Sequence, residues 1–198
     1  EKNITMPDTA YSPIDRHLLE GNPEGYVRYA DTPDGISPRA VPGNGAQVVA
    51  DSDEHGEDGH LTEDFGLRIK MQNKRMRKHA LLPDVFIMPE VYGKPDCDVA
   101  VVCWGSSYGA CREYVDMMNA NGKGQFAMIH FPQVWPLPGD RLKPLLDKPR
   151  RMIVVESNCT GQFRSLLRDA GISRKTEGVS RYDGLPITCE YLAAEVKI

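Results

Sequence analysis

Three short apolar runs organise the second half of the chain: Val99–Trp104, Phe126–Phe131 and Met152–Glu156, each bounded by glycine, proline or charge. Continuous apolar runs of this length suit strands buried on both faces. Between the first two, Tyr108, Cys111, Val115 and Met118 recur at helical spacing and form one stripe of an amphipathic helix that Gly122 can end. After the third, Phe163, Leu166, Leu167 and Ala170 repeat the pattern before Gly171, and a last short helix begins at Thr188 and runs through Leu192 to Val196. This alternation predicts an α/β fold, a small parallel sheet with flanking helices and right-handed crossovers, over residues 96–198.

The first half reads differently. From Lys2 to about Ala50 there is almost no sustained period of 2 or 3.6, and proline, glycine and acidic groups are frequent. A compact domain rarely holds so long an irregular stretch, so residues 1–95 are expected to form an arm lying against something larger. The exception is a helix predicted to start near Thr62, with Glu63 and Asp64 in its first turn and Phe65, Ile69 and Met76 on one face. Leu82-Pro83 ends it, because the residue before proline is pushed out of the helical region.

Composition narrows the function classes. A chain of 198 residues, 40% apolar and 26% charged, has the make-up of an ordinary globular protein of one or two domains. No run approaches the length of a membrane span, and the net charge of −4 without a basic, aromatic-laced stripe argues against nucleic acid. Seven carboxylates between Asp51 and Asp64 precede six cations, Arg68, Lys70, Lys74, Arg75, Arg77 and Lys78. A helix with acids at its start and bases toward its end accounts for that order. The five cysteines include no Cys-x-x-Cys pair, which suits reduced thiols in a cytoplasm and supplies no zinc or iron–sulfur spacing.

Several motifs carry candidate chemistry. Asp34-Gly-Ile-Ser-Pro-Arg-Ala-Val-Pro-Gly43 is a shaped polar loop, and Arg39, set between Pro38 and Pro42, can engage a carboxylate with two parallel hydrogen bonds. That carboxylate is either a ligand's, or an acid such as Asp34 or one on a partner chain. Ser106 and Ser107 follow the first strand and Asn158 and Thr160 the third, at the sheet end where α/β proteins place ligands. They either contact an anion or partner, or cap the helices that follow. His55 and His60 sit in an acidic loop whose spacing matches neither an EF-hand nor a zinc helix, so no metal site is expected. No cysteine has a base beside it and no serine lies in a nucleophile elbow, so no catalytic residue is assigned.

Taken together, Asp34–Gly43, Ser52-Asp-Glu-His55, Gly59-His-Leu-Thr-Glu-Asp64, Arg68-Ile-Lys-Met71, Lys74-Arg75, Gly105-Ser-Ser-Tyr-Gly109, His130-Phe-Pro-Gln133, Val155-Glu156, Asn158, Thr160-Gly-Gln162 and Tyr182-Asp-Gly184 resemble the alpha subunits of 2-oxoacid:ferredoxin oxidoreductases, most closely the 2-oxoglutarate branch. The Tyr-Pro-Ile-Thr-Pro and Gly-Pro-Ser-Thr-Gly motifs of that family's thiamine-pyrimidine domain do not occur here. The resemblance therefore implies the C-terminal portion of such a subunit: the end of the pyrimidine domain and a connecting arm in 1–95, and a domain similar to the C-terminal domain of transketolase in 96–198.

The same resemblance implies a complete enzyme that uses thiamine diphosphate with Mg, iron–sulfur clusters and coenzyme A to oxidise a 2-oxoacid and reduce ferredoxin. It implies a beta subunit, with gamma and delta subunits in some assemblies, and no cofactor on this chain alone. The isolated chain is expected to be inactive, with a structural and interface role, and the loop of Ser37, Pro38, Arg39 and Pro42 is expected near the substrate entrance or a subunit interface. Two other readings stay open: the same superfamily acting on branched-chain or other 2-oxoacids, and a non-catalytic interaction module.

Overall fold

In the computed structural model, residues 17–19, 24–41, 43, 45–172 and 176–197 are described. Pro42 and much of the expected arm, residues 1–16 and 20–23, lie outside them. The chain divides into two compact units, Glu1–Leu81 and Leu82–Ile198.

The first unit has little regular structure. Strands β1 (Leu18–Leu19) and β2 (Arg39–Ala40) pair in parallel, and one long helix, α1 (Phe65–Ala80), follows. The helix begins three residues later than the sequence suggests. Asp64 is its cap, its carboxylate accepting from the Leu67 amide at 2.5 Å, while Thr62 Oγ1 accepts from the Asp64 amide at 3.1 Å. Glu63 and Asp64 thus precede the first turn rather than occupy it. The helix ends at Ala80, just before Leu82-Pro83.

The apolar face of α1 is its exposed one. Phe65, Ile69 and Met76 do share a face, but they are 82%, 62% and 51% exposed, and the helix buries Met71 and Lys74 instead. Met71 is the one buried apolar side chain among the described residues of this unit.

The second unit has the expected layers. A five-stranded sheet is built from β3 (Glu90–Gly93), β4 (Val99–Trp104), β5 (Phe126–Phe131), β6 (Arg151–Glu156) and β7 (Glu177–Ser180), in spatial order β3-β5-β4-β6-β7. Its helices are α2 (Tyr108–Ala120), α3 (Gly139–Leu146), α4 (Gln162–Asp169) and α5 (Cys189–Glu195). The run over Val99–Cys103 is buried on both faces because alternate residues serve two cores. Val99, Val101 and Cys103 pack with Tyr114, Val115 and Met118 of α2 and Leu192 of α5; Ala100 and Val102 pack with Leu142 and Leu146 of α3 and Phe163 and Leu167 of α4. Each fully buried side chain of this kind is worth about 1.5–3 kcal/mol of transfer free energy.

Strands β4 to β7 are mutually parallel, but β3 runs antiparallel to β5, from Glu90 opposite His130 to Gly93 opposite Ala127. The α/β unit therefore starts at Leu82, and its sheet recruits residues placed in the arm by the sequence pattern. A four-residue strand with only one neighbour leaves too short and too polar a pattern to read.

One buried charge fixes the end of β6. Glu156 is 2% exposed, and its carboxylate accepts from the amides of Phe163 at 2.7 Å and Arg164 at 3.1 Å and from Asn158 Nδ2 at 2.9 Å. It is an internal anion at the positive end of α4. Glu156→Ala would leave two amides without acceptors, at a cost of about 2–4 kcal/mol. Amide exchange should accelerate across residues 157–169 in Glu156→Ala and much less in Glu156→Gln; unchanged exchange in the alanine variant would refute the cap.

Candidate functional site

The loop containing Ser37, Pro38 and Arg39 is held against α1 by contacts that leave little freedom. Gly35, at φ +76°, passes so close to the helix that a Cβ would lie 2.3 Å from the Lys74 carbonyl oxygen and 2.8 Å from the Lys78 nitrogen. Lys74, only 5% exposed, donates to the Tyr29 carbonyl at 2.8 Å and to Ser37 Oγ, and Ser37 Oγ donates on to the Ala30 carbonyl at 3.0 Å. Burial, reinforced by the nearby Lys78 charge, pushes the Lys74 pKa below its ordinary value. Ser37 is thus committed to holding the loop.

Pro38 is tied through its carbonyl, which accepts from Tyr26 Oη at 3.3 Å, while the same hydroxyl accepts from the Ala40 amide at 3.1 Å. The Arg39 amide donates to the His17 carbonyl at 3.1 Å, and the side chain is exposed. Asp34, one of the acids considered for Arg39, has other partners. Its carboxylate accepts from Thr32 Oγ1 and the Ile36 amide, both at 2.9 Å, and lies 3.7 Å from His17 Nε2. This is an Asx turn built by the Asp-Gly pair.

The acid-then-base order along the chain has a different cause from the one expected. The acids do not sit in the first turn of α1; they fold back along its side. Glu54 takes a two-pronged contact from Arg75 at 2.6 and 3.2 Å, Glu57 pairs with Lys70 and accepts from the Asp31 amide at 2.7 Å, and Asp31 pairs with Arg77. His55 and His60 belong to the same hairpin. His55 lies against the Tyr29 ring with centroids 4.0 Å apart, and His60 Nδ1 is 3.1 Å from Asp58. No group of three or more His, Cys, Asp or Glu among the described residues is arranged to hold a metal ion.

In the second unit, Ser107 is buried and its hydroxyl donates to the Trp104 carbonyl at 2.7 Å, in the 3₁₀ turn Gly105–Ser107, whereas Ser106 is exposed. Asn158 donates to Glu156 and accepts from the Gly161 and Gln162 amides at 2.8 and 3.1 Å; Thr160 is exposed. The amides that would greet a diphosphate at the start of α4 already face Glu156 and Asn158. Cys97, Cys103, Cys111 and Cys189 are buried and Cys159 is exposed, with no cluster geometry among them. The sheet-end residues and thiols therefore do not fit thiamine diphosphate or an iron–sulfur cluster.

Two residues escape sequence reasoning. Lys74 reads there as one surface cation among six, although Lys70, Lys74 and Lys78 recur at i, i+4 and i+8 and so share one helix face. Glu156 closes an apolar run, a position where a charge usually marks the strand's exit to solvent.

The clamp makes two outcomes measurable. Gly35→Ala meets both a left-handed backbone and the helix main chain and should cost about 2–3 kcal/mol, whereas Gly43→Ala, with open space around its φ of +91°, should cost about 1 kcal/mol. Urea unfolding of the full-length subunit would rank them; equal costs would refute the close approach. Hydrogen bonds from Arg75 and Lys70 hold the Glu54 and Glu57 carboxyls below their ordinary 4.5. Their contribution is complete above that value and is lost as pH falls through the lowered ones. Stability measured against pH should fall in that acid window, and Glu54→Gln with Glu57→Gln should flatten the fall.

Residues 97–188 match the family model of pyruvate:ferredoxin oxidoreductase core domain II. The chain is 32% identical over 195 residues to 2-oxoacid:ferredoxin oxidoreductase 2, subunit alpha, of Aeropyrum pernix, covering 96% of this chain and 30% of that protein. It is 33% identical over 185 residues to the alpha subunit from Saccharolobus solfataricus, covering 91% and 29%. Among solved structures, 2-oxoglutarate:ferredoxin oxidoreductase from Magnetococcus marinus, with 2-oxoglutarate, coenzyme A and succinyl-CoA bound, superposes with a TM-score of 0.66 at 30% identity, over 93% of this chain and 32% of that one. The chain spans about a third of the length of the relatives it matches. The curated relatives it resembles are alpha subunits of 2-oxoacid:ferredoxin oxidoreductases, and within its second unit residues 97–188 match the model of pyruvate:ferredoxin oxidoreductase core domain II.

Proposed function

We propose that this chain forms part of the alpha subunit of a thiamine-diphosphate-dependent 2-oxoglutarate:ferredoxin oxidoreductase, where it serves assembly and the shape of the substrate entrance rather than bond making. The observation that carries this reading is the likeness to the Magnetococcus marinus enzyme across nearly the whole chain. The polar inventory agrees with a supporting role: Ser37, Ser107 and Asn158 all spend their side-chain hydrogen bonds on the fold. Thiamine diphosphate with Mg, the iron–sulfur clusters and coenzyme A then belong to the complete cytoplasmic complex, with a beta subunit and, in some assemblies, gamma and delta subunits. Ferredoxin meets the complex rather than this chain, and this chain alone is inactive.

The exposed face of α1 supports an interface role. Phe65, Ile69 and Met76 expose apolar side chains on one face of a helix whose other side is already engaged, the pattern of a surface made to be covered. Arg39 keeps its place in this reading as an exposed guanidinium on a rigid loop.

The test is 2-oxoacid- and coenzyme-A-dependent ferredoxin reduction by the purified complex containing the full-length subunit. The highest kcat/KM is expected with 2-oxoglutarate; a higher value with pyruvate or 2-oxoisovalerate would overturn the substrate assignment. Arg39→Ala should lower substrate affinity or assembly, and a variant unchanged in turnover, affinity and subunit association would remove Arg39 from the site.

A further inference from the structure

The segment Pro89-Glu-Val-Tyr-Gly-Lys-Pro95 is self-complementary about Tyr92. When two copies of it are laid antiparallel about that residue, proline meets proline, Glu90 meets Lys94 and Val91 meets Gly93. Its strand, β3, is an edge: it pairs with β5 on one side and, among the described residues, with no strand on the other. The Lys94 amide donates to the Phe126 carbonyl at 3.1 Å, so in this register Glu90, Tyr92 and Lys94 turn their main-chain groups toward β5. The alternation of an antiparallel ladder then turns those of Val91 and Gly93 outward.

An open edge is commonly blunted by charge, which repels an arriving strand. Here the charges at the two ends have opposite sign, so a second copy arriving antiparallel meets attraction at both ends. Glu90 and Lys94 are exposed, and among the described residues neither has an ion-pair partner. Gly93 is required by the fold itself, since a Cβ there would lie 2.8 Å from the Phe126 carbonyl oxygen. In the antiparallel pairing it faces Val91, which is exposed and finds no side chain opposing it. Val85, Ile87 and Met88, just before the strand, are exposed too and add apolar surface beside the edge.

We propose that β3 pairs with β3 of a second copy of this chain about a two-fold axis at Tyr92, joining the two sheets into one continuous sheet. Val91 exchanges both main-chain hydrogen bonds with Gly93 of the other copy, and Glu90 stands opposite Lys94 on each side of the axis. Opposite charges directly across a strand pair stabilise it, and like charges destabilise it. A two-fold interface uses the same patch on both copies, and this segment meets that condition in its sequence. Pro89 and Pro95 lack a main-chain donor, so they end the ladder at both sides and hold it in this register. The inference rests on the second unit alone and is independent of which 2-oxoacid the enzyme oxidises.

The experiment is cysteine cross-linking in the assembled oxidoreductase with its full-length alpha subunit, oxidised mildly with copper phenanthroline and read by mass spectrometry of the linked peptides. Glu90→Cys and Lys94→Cys are introduced together, at positions directly opposed in the pairing, where Cα atoms of non-hydrogen-bonded residues lie about 4.5 Å apart and within disulfide reach. Within one chain the same positions are about 13 Å apart along the strand, too far to bridge. The double variant should give alpha–alpha disulfides between the two positions, and neither single variant should. Amide exchange gives a second reading without cysteine: Val91 and Gly93 should exchange slowly in the assembled enzyme, about tenfold faster in Glu90→Lys, and slowly again in Glu90→Lys with Lys94→Glu. Absence of the disulfide in the double variant, equal linkage in a single variant, linkage to the beta subunit instead, or exchange indifferent to Glu90→Lys would each overturn the pairing.

Discussion

The first unit depends on a buried ammonium. Its described residues bury one apolar side chain, Met71, which cannot by itself offset the conformational entropy of ordering a loop and a sixteen-residue helix. Lys74 supplies what the core does not. It ties the Tyr29 carbonyl and the Ser37 hydroxyl to α1 at a point 45 and 37 residues away along the chain. Desolvating a lone ammonium is costly, and the cost is tolerated only because its donors are directed at fixed acceptors and an aromatic face lies nearby. Glu54–Arg75, Glu57–Lys70 and Asp31–Arg77 then work at the rim, where each pair alone contributes little but all of them act on the same loop-to-helix register.

The second unit uses the opposite sign for a related purpose. Its core is ample and apolar, so Glu156 is not needed to create stability from nothing; it decides where the β6–α4 connection lies. A carboxylate at the positive end of a helix does what a bound phosphate does in many α/β proteins. Because the protein provides that anion from its own chain, the place usually open to a ligand is closed.

Much of the second unit was legible because its signals are local and redundant. Runs such as Val99–Cys103 are too apolar to be anything but interior, and the stripe of Cys111, Val115 and Met118 names its own helix. The edge strand Glu90–Gly93 was not legible, since its pairing with β5 is a property of the sheet and not of four residues. In the first unit, periodicity yields the helix and the face its apolar residues share, but not which face is buried. Phe65, Ile69 and Met76 are exposed while the folded chain buries Met71 and Lys74, and no periodicity rule anticipates a helix folded onto its own lysine. Of the site, the Asp-Gly-Ile-Ser-Pro-Arg segment stood out through its turn chemistry, but Lys74 could be joined to Ser37 only by the fold.

That exposed apolar face bears on how the first unit is to be understood. A helix that satisfies its polar face internally and leaves its apolar face to solvent has the energetic order of a surface element reversed. It would carry a standing penalty as a free surface, since exposed apolar stripes of this kind associate. The penalty disappears if the stripe is covered in the complete protein. The internal clamp would then hold the helix and the Arg39 loop in one register both before and after that contact forms. A rigid polar scaffold with an apolar outer face is therefore better suited to presenting a surface than to closing around a substrate. The chemistry-bearing residue types here, Lys74 and Ser37 above all, are spent on geometry.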